Sequence, residues 1–337
     1  MLIIRDILEK VHKIINIISK MITFAEFFAG VGGFRLGLES LGFFKCLFAN
    51  DFDSHCEKIY NLNFKEPKLT CSDIHALKPQ DIPDVDLFVG GFPCQPYSQA
   101  GKKKGFQDER STCLFKFMEL IAEKKPKFIL MENVKNLVTH NNGESMKTIV
   151  NKLRDIGYTV KYEVLDTNKI TKIPQHRERV FIFGSRDPQC VEKFRFPQPI
   201  CDSEKIKIRD LLDVEGNVPD RYYYTDKSTI YQHLKRDVIN MDTLYQYRRT
   251  YVRENKSQVC PTLTANMGTG GNNIPIFLES ENKIRKLTPR ECFRLQGFPE
   301  SYLLDNLADS HLYKQSGNAV SVPVIELLGK EILNVIS

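Results

Sequence analysis

Between Thr23 and Gly184, short apolar runs that end in glycine or an acid alternate with amphipathic stretches of helical period. "TFAEFF" runs into glycines, "FKCLFAND" ends in an acid, "VDLFVGG" leads to Cys94 and "KFILMEN" ends at Glu132. Among the intervening stretches are "GGFRLGLESLG", "SHCEKIYNLNF", "DERSTCLFKFMELIAEKK" and "ESMKTIVNKLRDIG". In the last of these Met146, Ile149, Val150, Leu153 and Ile156 share one helical face. "YTVKYEVL" and "RVFIFG" add two strands. Strands separated by helices predict a mostly parallel, doubly wound, Rossmann-like α/β sheet.

The pattern breaks near Ser185. Residues 186–285 are rich in Pro, Asn, Tyr and Arg and hold no long helical period, which predicts a smaller, irregular second lobe. "LTPRECFRLQGFP" then starts a helix, with Thr288 as cap, Pro289 at the first position and Glu291 completing a capping box. "SVPVIELLGKEIL" is a helix expected to return to the first lobe. The division is therefore a first lobe over 21–188 joined by 308–337, and a second lobe over 189–307. Residues 1–20 carry apolar positions at helical spacing, broken by too many charges for a membrane span or signal peptide. They are read as an amphipathic extension docked on the body, or as sequence preceding a start at Met21.

With 337 residues, 42% hydrophobic and 27% charged, the chain is large enough for two lobes. Its net charge of +6 permits a polyanionic partner. Nine cysteines, scattered and with no C-x-x-C pair, fit a reducing cytoplasm better than a disulfide scaffold, and no metal site is expected.

Open α/β sheets bind ligands beyond the carboxyl ends of their strands. "FFAGVGGF" follows the first strand, where Gly30, Gly32 and Gly33 would allow close backbone approach. Arg35 stands where a dinucleotide fingerprint requires glycine, which disfavours a nicotinamide dehydrogenase. Asp51, about 20 residues on, suits ribose hydroxyls, and Asp73 suits an adenine amino group. Together they fit a nucleoside without a diphosphate. Cys94 is a packed thiol, a metal ligand or a nucleophile on its own showing. Glu132 shares its end of the sheet, and Arg177 and Arg179 in "QHRERV" supply guanidinium groups nearby. "YQYRRTYVRENK" interleaves aromatics with Arg248 and Arg249, as contact with a nucleic-acid groove requires.

"FAGVGG", "GFPCQPYS", "ENV", "QHRER", "LTPRECFRLQGFP" and "QSGNAV" occur in this order. The set resembles the motifs of the C5-cytosine DNA methyltransferases, especially the single-chain enzymes of bacterial restriction–modification systems, from about Thr23 onward. The resemblance implies an S-adenosylmethionine-dependent methyltransferase domain and a target-recognition domain. It makes Cys94 the nucleophile that adds to cytosine C6, and Glu132 the acid at N3. Arg179 would hold the base carbonyl and the carboxyl, with Arg177 in support. Phe28, Gly30, Gly32, Asp51, Asp73, Pro93 and Asn318 match the cofactor-binding positions. Lys102, Lys103 and Lys104 lie in a loop expected to close over DNA, between Gly101 and Gly105, and Thr262 matches a backbone contact near the flipped nucleotide. Cys113 departs from the leucine of many relatives.

Double-stranded DNA is the implied partner of a cytoplasmic monomer, with a cognate restriction endonuclease acting separately. A tRNA cytosine methyltransferase shares most of these motifs. The sizeable lobe after "QHRER" argues for DNA. A non-catalytic relative would lack the nucleophile or the glutamate, and both are present.

Overall fold

The computed structural model describes residues 21–93, 111–213, 218–281, 283–305 and 307–336. The expectations for residues 1–20, Cys94 and Lys102, Lys103 and Lys104 lie outside them. A seven-stranded sheet carries the first lobe, in the order β3-β2-β1-β4-β5-β7-β6. Its strands are β1 (Ile22–Phe27), β2 (Phe44–Asp51), β3 (Leu69–Cys71), β4 (Leu87–Gly91), β5 (Phe128–Val134), β6 (Thr159–Asp166) and β7 (Glu178–Ser185). All neighbours from β3 to β5 are parallel; β7 runs antiparallel to both β5 and β6.

Alternation along each strand makes two cores. Phe24, Val89, Leu130 and Phe183 face one core, together with α1 (Gly33–Glu39), α2 (Ser54–Asn63) and the last helix, α9 (Val322–Ile336). Phe27, Phe88, Ile129 and Ile182 face the other, under α3 (Ser111–Lys124) and α4 (Glu144–Asp155). β1 pairs with both β2 and β4, so the strand order reverses there. A crevice opens at such a switch point. The segments leaving β1 and β4 are those that carry Gly30 and lead to Cys94.

The second lobe is more regular than its sequence suggests. β8 (Leu244–Arg248), β9 (Tyr251–Glu254), β10 (Ile276–Ser280) and β11 (Lys283–Lys286) form an antiparallel sheet in the order β11-β10-β8-β9. Leu244 and Phe277 on one face and Tyr245 and Ile276 on the other enter separate cores, the latter shared with Leu234 of the helix α6 (Tyr231–Asp237). Strands of four or five residues, buried on both faces at their roots, give no clean period-2 signal.

Nor do the cores change over at 188/189 and 307/308. Val191 in α5 (Pro188–Lys193), then Phe194 and Phe196, pack in the first core. So do Phe293 in α7 (Pro289–Leu295), Phe298 and Tyr302. The helix α7 begins as its sequence predicts, with Thr288 and Glu291 bonding each other's backbone N–H. No helix among the described residues is long and apolar enough to cross a membrane.

Candidate active site

Gly91, at the end of β4, stands opposite Glu132 of β5. A Cβ on residue 91 would lie 3.3 Å from Glu132 Oε2, so glycine leaves the carboxylate room. Asn133, buried, donates from Nδ2 to the Phe92 carbonyl at 3.0 Å. The chain is thereby fixed to β5 just ahead of Pro93, which is half-buried, and of Cys94. In the sequence, only its place beside Glu132 in "ENV" marks Asn133 for this role.

Across the β5–β7 pair Arg179 faces Val134 and Phe181 faces Glu132, so Arg179 and Glu132 are diagonal neighbours on one face. Arg179 Nε lies 3.1 Å from Glu132 Oε1, and the side chains are only 16% and 13% exposed. At that burial the pair is weakly screened and holds the carboxyl in one orientation. A carboxyl group held beside a guanidinium can hold or deliver a proton to a bound ring.

At the end of β1 the backbone turns through positive φ at Phe28 (52°) and Gly30 (55°). The Gly30 N–H donates to Asp51 Oδ2 at 2.8 Å, and the Asp53 N–H donates to Asp51 Oδ1 at 2.9 Å. Asp51 is thus aimed by two backbone donors while burial pushes its carboxyl up from the usual range. A Cβ at residue 30 would meet nothing within 4 Å, so this stretch of backbone borders open space. Phe28 meets Phe117 edge to face at 5.8 Å. Asp73 is exposed and accepts through Oδ1 from the His75 N–H and from His75 Nδ1, which holds it below the usual carboxylate range.

The helix α8 (Asp309–Asn318) closes on this end of the sheet. Lys314 Nζ bonds Asp53 Oδ2 at 2.9 Å, and the His55 and His311 rings stack at 3.7 Å. Val320 lies against Gly33. Asn318, exposed at the end of α8, falls between those two contacts. Arg35 lies buried behind the loop and donates to the Glu66 and Pro67 carbonyls, so the departure from a dinucleotide fingerprint has a structural use.

Residues 22–334 match the family model for C-5 cytosine-specific DNA methylases. The chain belongs to that family. The Type II methyltransferase M.Bsp6I of Bacillus sp. (strain RFL6) is 48% identical over 314 residues, 93% of this chain and 98% of that protein. The Type II methyltransferase M.HhaI of Haemophilus parahaemolyticus is 34% identical over 333 residues, 94% of this chain and 97% of that protein. In fold, the chain is similar to a solved Entamoeba histolytica methyltransferase, EhMeth, with a TM-score of 0.75 at 22% identity, covering 94% of this chain and 99% of that one. The methylase is a DNA cytosine-5-methyltransferase with S-adenosylmethionine as donor, and the tRNA alternative loses ground to a family defined on DNA.

The methylase places two sequence-derived candidates differently from expectation. Arg177, expected to support Arg179, gives its guanidinium to backbone carbonyls: Leu263 at 3.0 Å, Gly317 at 3.3 Å and Ala319 at 2.7 Å. It is fully buried, and desolvation lowers its affinity for a proton. It ties β7 to both lobes and acts on Glu132 and Arg179 through charge, not through a hydrogen bond, since it precedes β7 and lies outside the β5–β7 pairing. Gly32, at φ 77°, abuts the Phe64 ring and not open space, so its missing side chain makes room for protein. Thr262 donates from Oγ1 to the His176 carbonyl at 2.7 Å, beside Arg177. Arg248 and Arg249 stand exposed on the second lobe, at the end of β8 and in the turn after it.

Proposed function

We propose that the methylase forms a transient bond from the Cys94 thiolate to C6 of a cytosine extruded from duplex DNA. Addition at C6 pushes electron density to C5, which makes that carbon nucleophilic. Bound S-adenosylmethionine supplies an electrophilic methyl group. Glu132, held by Arg179, gives N3 the proton that offsets charge developing on the ring, and Arg179 also faces the base carbonyl. Loss of the C5 proton to a base, for which water suffices, then lets the sulfur leave as thiolate, and N3 returns its proton to Glu132.

The observation that carries this reading is the Arg179–Glu132 pair at 3.1 Å, on the strand whose next residue fixes the backbone two positions before Cys94. For the donor, Phe28, Gly30 and Asp51 suit the methionine and ribose ends, and Asp73 the adenine amino group. Pro93 would line the reacting end, and Asn318 the methionine moiety. Gly32 shapes the loop from behind. Lys102, Lys103 and Lys104 would contact phosphate, and Thr262 the backbone near the extruded base. In domain terms, 21–188 with the returning 308–337 forms the catalytic unit, and most of 189–307 forms the recognition unit. The chain acts as a monomer in the cytoplasm.

The Type II naming of M.Bsp6I and M.HhaI supports a restriction–modification setting, in which methylation protects the cell's own DNA from a separate endonuclease. Incubation with duplexes carrying 5-fluorocytosine and excess donor tests the mechanism. Wild type is expected to be trapped covalently. Cys94→Ser is expected to bind donor and give no adduct. Trapping of that variant, or none with wild type on any duplex, overturns the assignment.

A further inference from the structure

β8 and β9 form a two-stranded ribbon at the edge of the second-lobe sheet, joined by a turn at Arg249 (φ 56°) and Thr250. Gln246 pairs with Arg253 and Arg248 with Tyr251, so these four side chains share one face. Arg248, Arg253 and Tyr251 are exposed, and that face of the two strands holds no acid. Its root is Leu244, which shares a core with Cys260 and Leu263. The opposite face is braced from behind, where Tyr245 enters another core and the Tyr247 hydroxyl lies 3.0 Å from His233 Nδ1.

The position of the face follows from the chain after β9. Cys260 donates its N–H to the Pro174 carbonyl and accepts from the His176 N–H, and Thr262 bonds the His176 carbonyl. The ribbon is thus tethered to the segment that leads into Arg177 and Arg179. Arg253 precedes Thr262 by nine residues, which span at most about 30 Å of extended chain. That is roughly nine base-pair steps of 3.4 Å. A two-stranded ribbon fits the major groove.

We infer that this face reads the bases flanking the target cytosine, with Arg248 and Arg253 as guanine readers. The inference rests on duplex DNA being the substrate. Arg248 Nη2 donates to Gln246 Oε1 at 3.0 Å. Gln246 therefore acts as a positioning residue: its carbonyl is committed to the guanidinium, which leaves it unable to bond adenine in the bidentate manner. The remaining N–H groups of Arg248 suit guanine O6 and N7. Arg249, at the turn, contacts phosphate and reads nothing.

Bisulfite sequencing of a randomised duplex library, methylated by each variant with donor binding measured alongside, tests this. Wild type is expected to select a motif with guanines near the target. Arg248→Ala and Arg253→Ala should each lose about ten- to a hundredfold in kcat/KM on that motif and accept any base at one guanine position. Gln246→Ala should relax the same position as Arg248→Ala. Arg249→Ala should slow all sequences alike and reduce the salt dependence of binding by about one phosphate contact. An unchanged motif in both Arg248→Ala and Arg253→Ala, with donor binding intact, overturns the assignment to this face. Failure of wild type to methylate any duplex would instead overturn the function beneath it.

Discussion

Arg177 and Arg179 are two residues apart in sequence and do different work. Arg179→Met should remove activity and, because it leaves the mostly buried Glu132 carboxylate without its guanidinium, should also cost about 1–3 kcal/mol of stability. Arg177→Met should strip donors from three buried carbonyls. At about 1–3 kcal/mol for each unsatisfied group, a loss of several kcal/mol is expected, read in urea melts. Glu132→Gln should lower kcat by about 10²–10⁴-fold with donor affinity retained, as measured in single-turnover transfer. Glu26 gives a different test. It lies wholly buried in β1, accepting from the Arg35 N–H and the Tyr60 hydroxyl, and burial pushes its carboxyl up to about 8. Between its ordinary value near 4.5 and about 8, the folded protein holds a proton that the unfolded chain releases. This contribution to stability is thus complete below pH 4.5 and is lost as pH rises toward 8. Urea melts across that range should show the decline, and Glu26→Gln should flatten it.

At the scale of elements, the glycine loop is built as much for packing as for ligand. Gly32→Ala should cost about 2–4 kcal/mol, from the left-handed backbone and the crowding of Phe64, visible as a lowered Tm. Thr288→Ala should cost about 1 kcal/mol through the lost cap of α7. The strands and helices of the first lobe were legible because each is long enough to show its period and ends in a recognisable stop. The cap at Thr288 was legible for the same reason: its chemistry is local. The β8–β11 sheet was not, since strands of four or five residues are too short to show a period, and the β8–β10 pairing that joins its two hairpins spans about 30 residues of chain. Local pattern likewise grouped Arg177 with the cleft, although its acceptors at Leu263 and Gly317 lie 86 and 140 residues away. Glu132, Asp51 and Asn318 could be singled out from their motifs, while Asn133 and Gln175 could not, because most of their bonds are to backbone distant in sequence.

The whole molecule is held together by the segment before β7. Gln175, on the first-lobe chain, donates to the Leu295 carbonyl and accepts from the Leu263 N–H, so its one side chain pins two second-lobe segments to the first lobe. Beyond it, Arg285 lies fully buried between Glu279 and Glu291 and stiffens the second lobe where it meets α7. The first lobe is completed only from the far end of the chain. α9 packs on α1, and the Tyr302 hydroxyl bonds the Val31 carbonyl across 271 residues. During synthesis, then, the loop meant for the donor lacks its backing until α9 has left the ribosome. A polypeptide cut short before α9 is expected to leave DNA unmodified, so competence would be gained with that one helix.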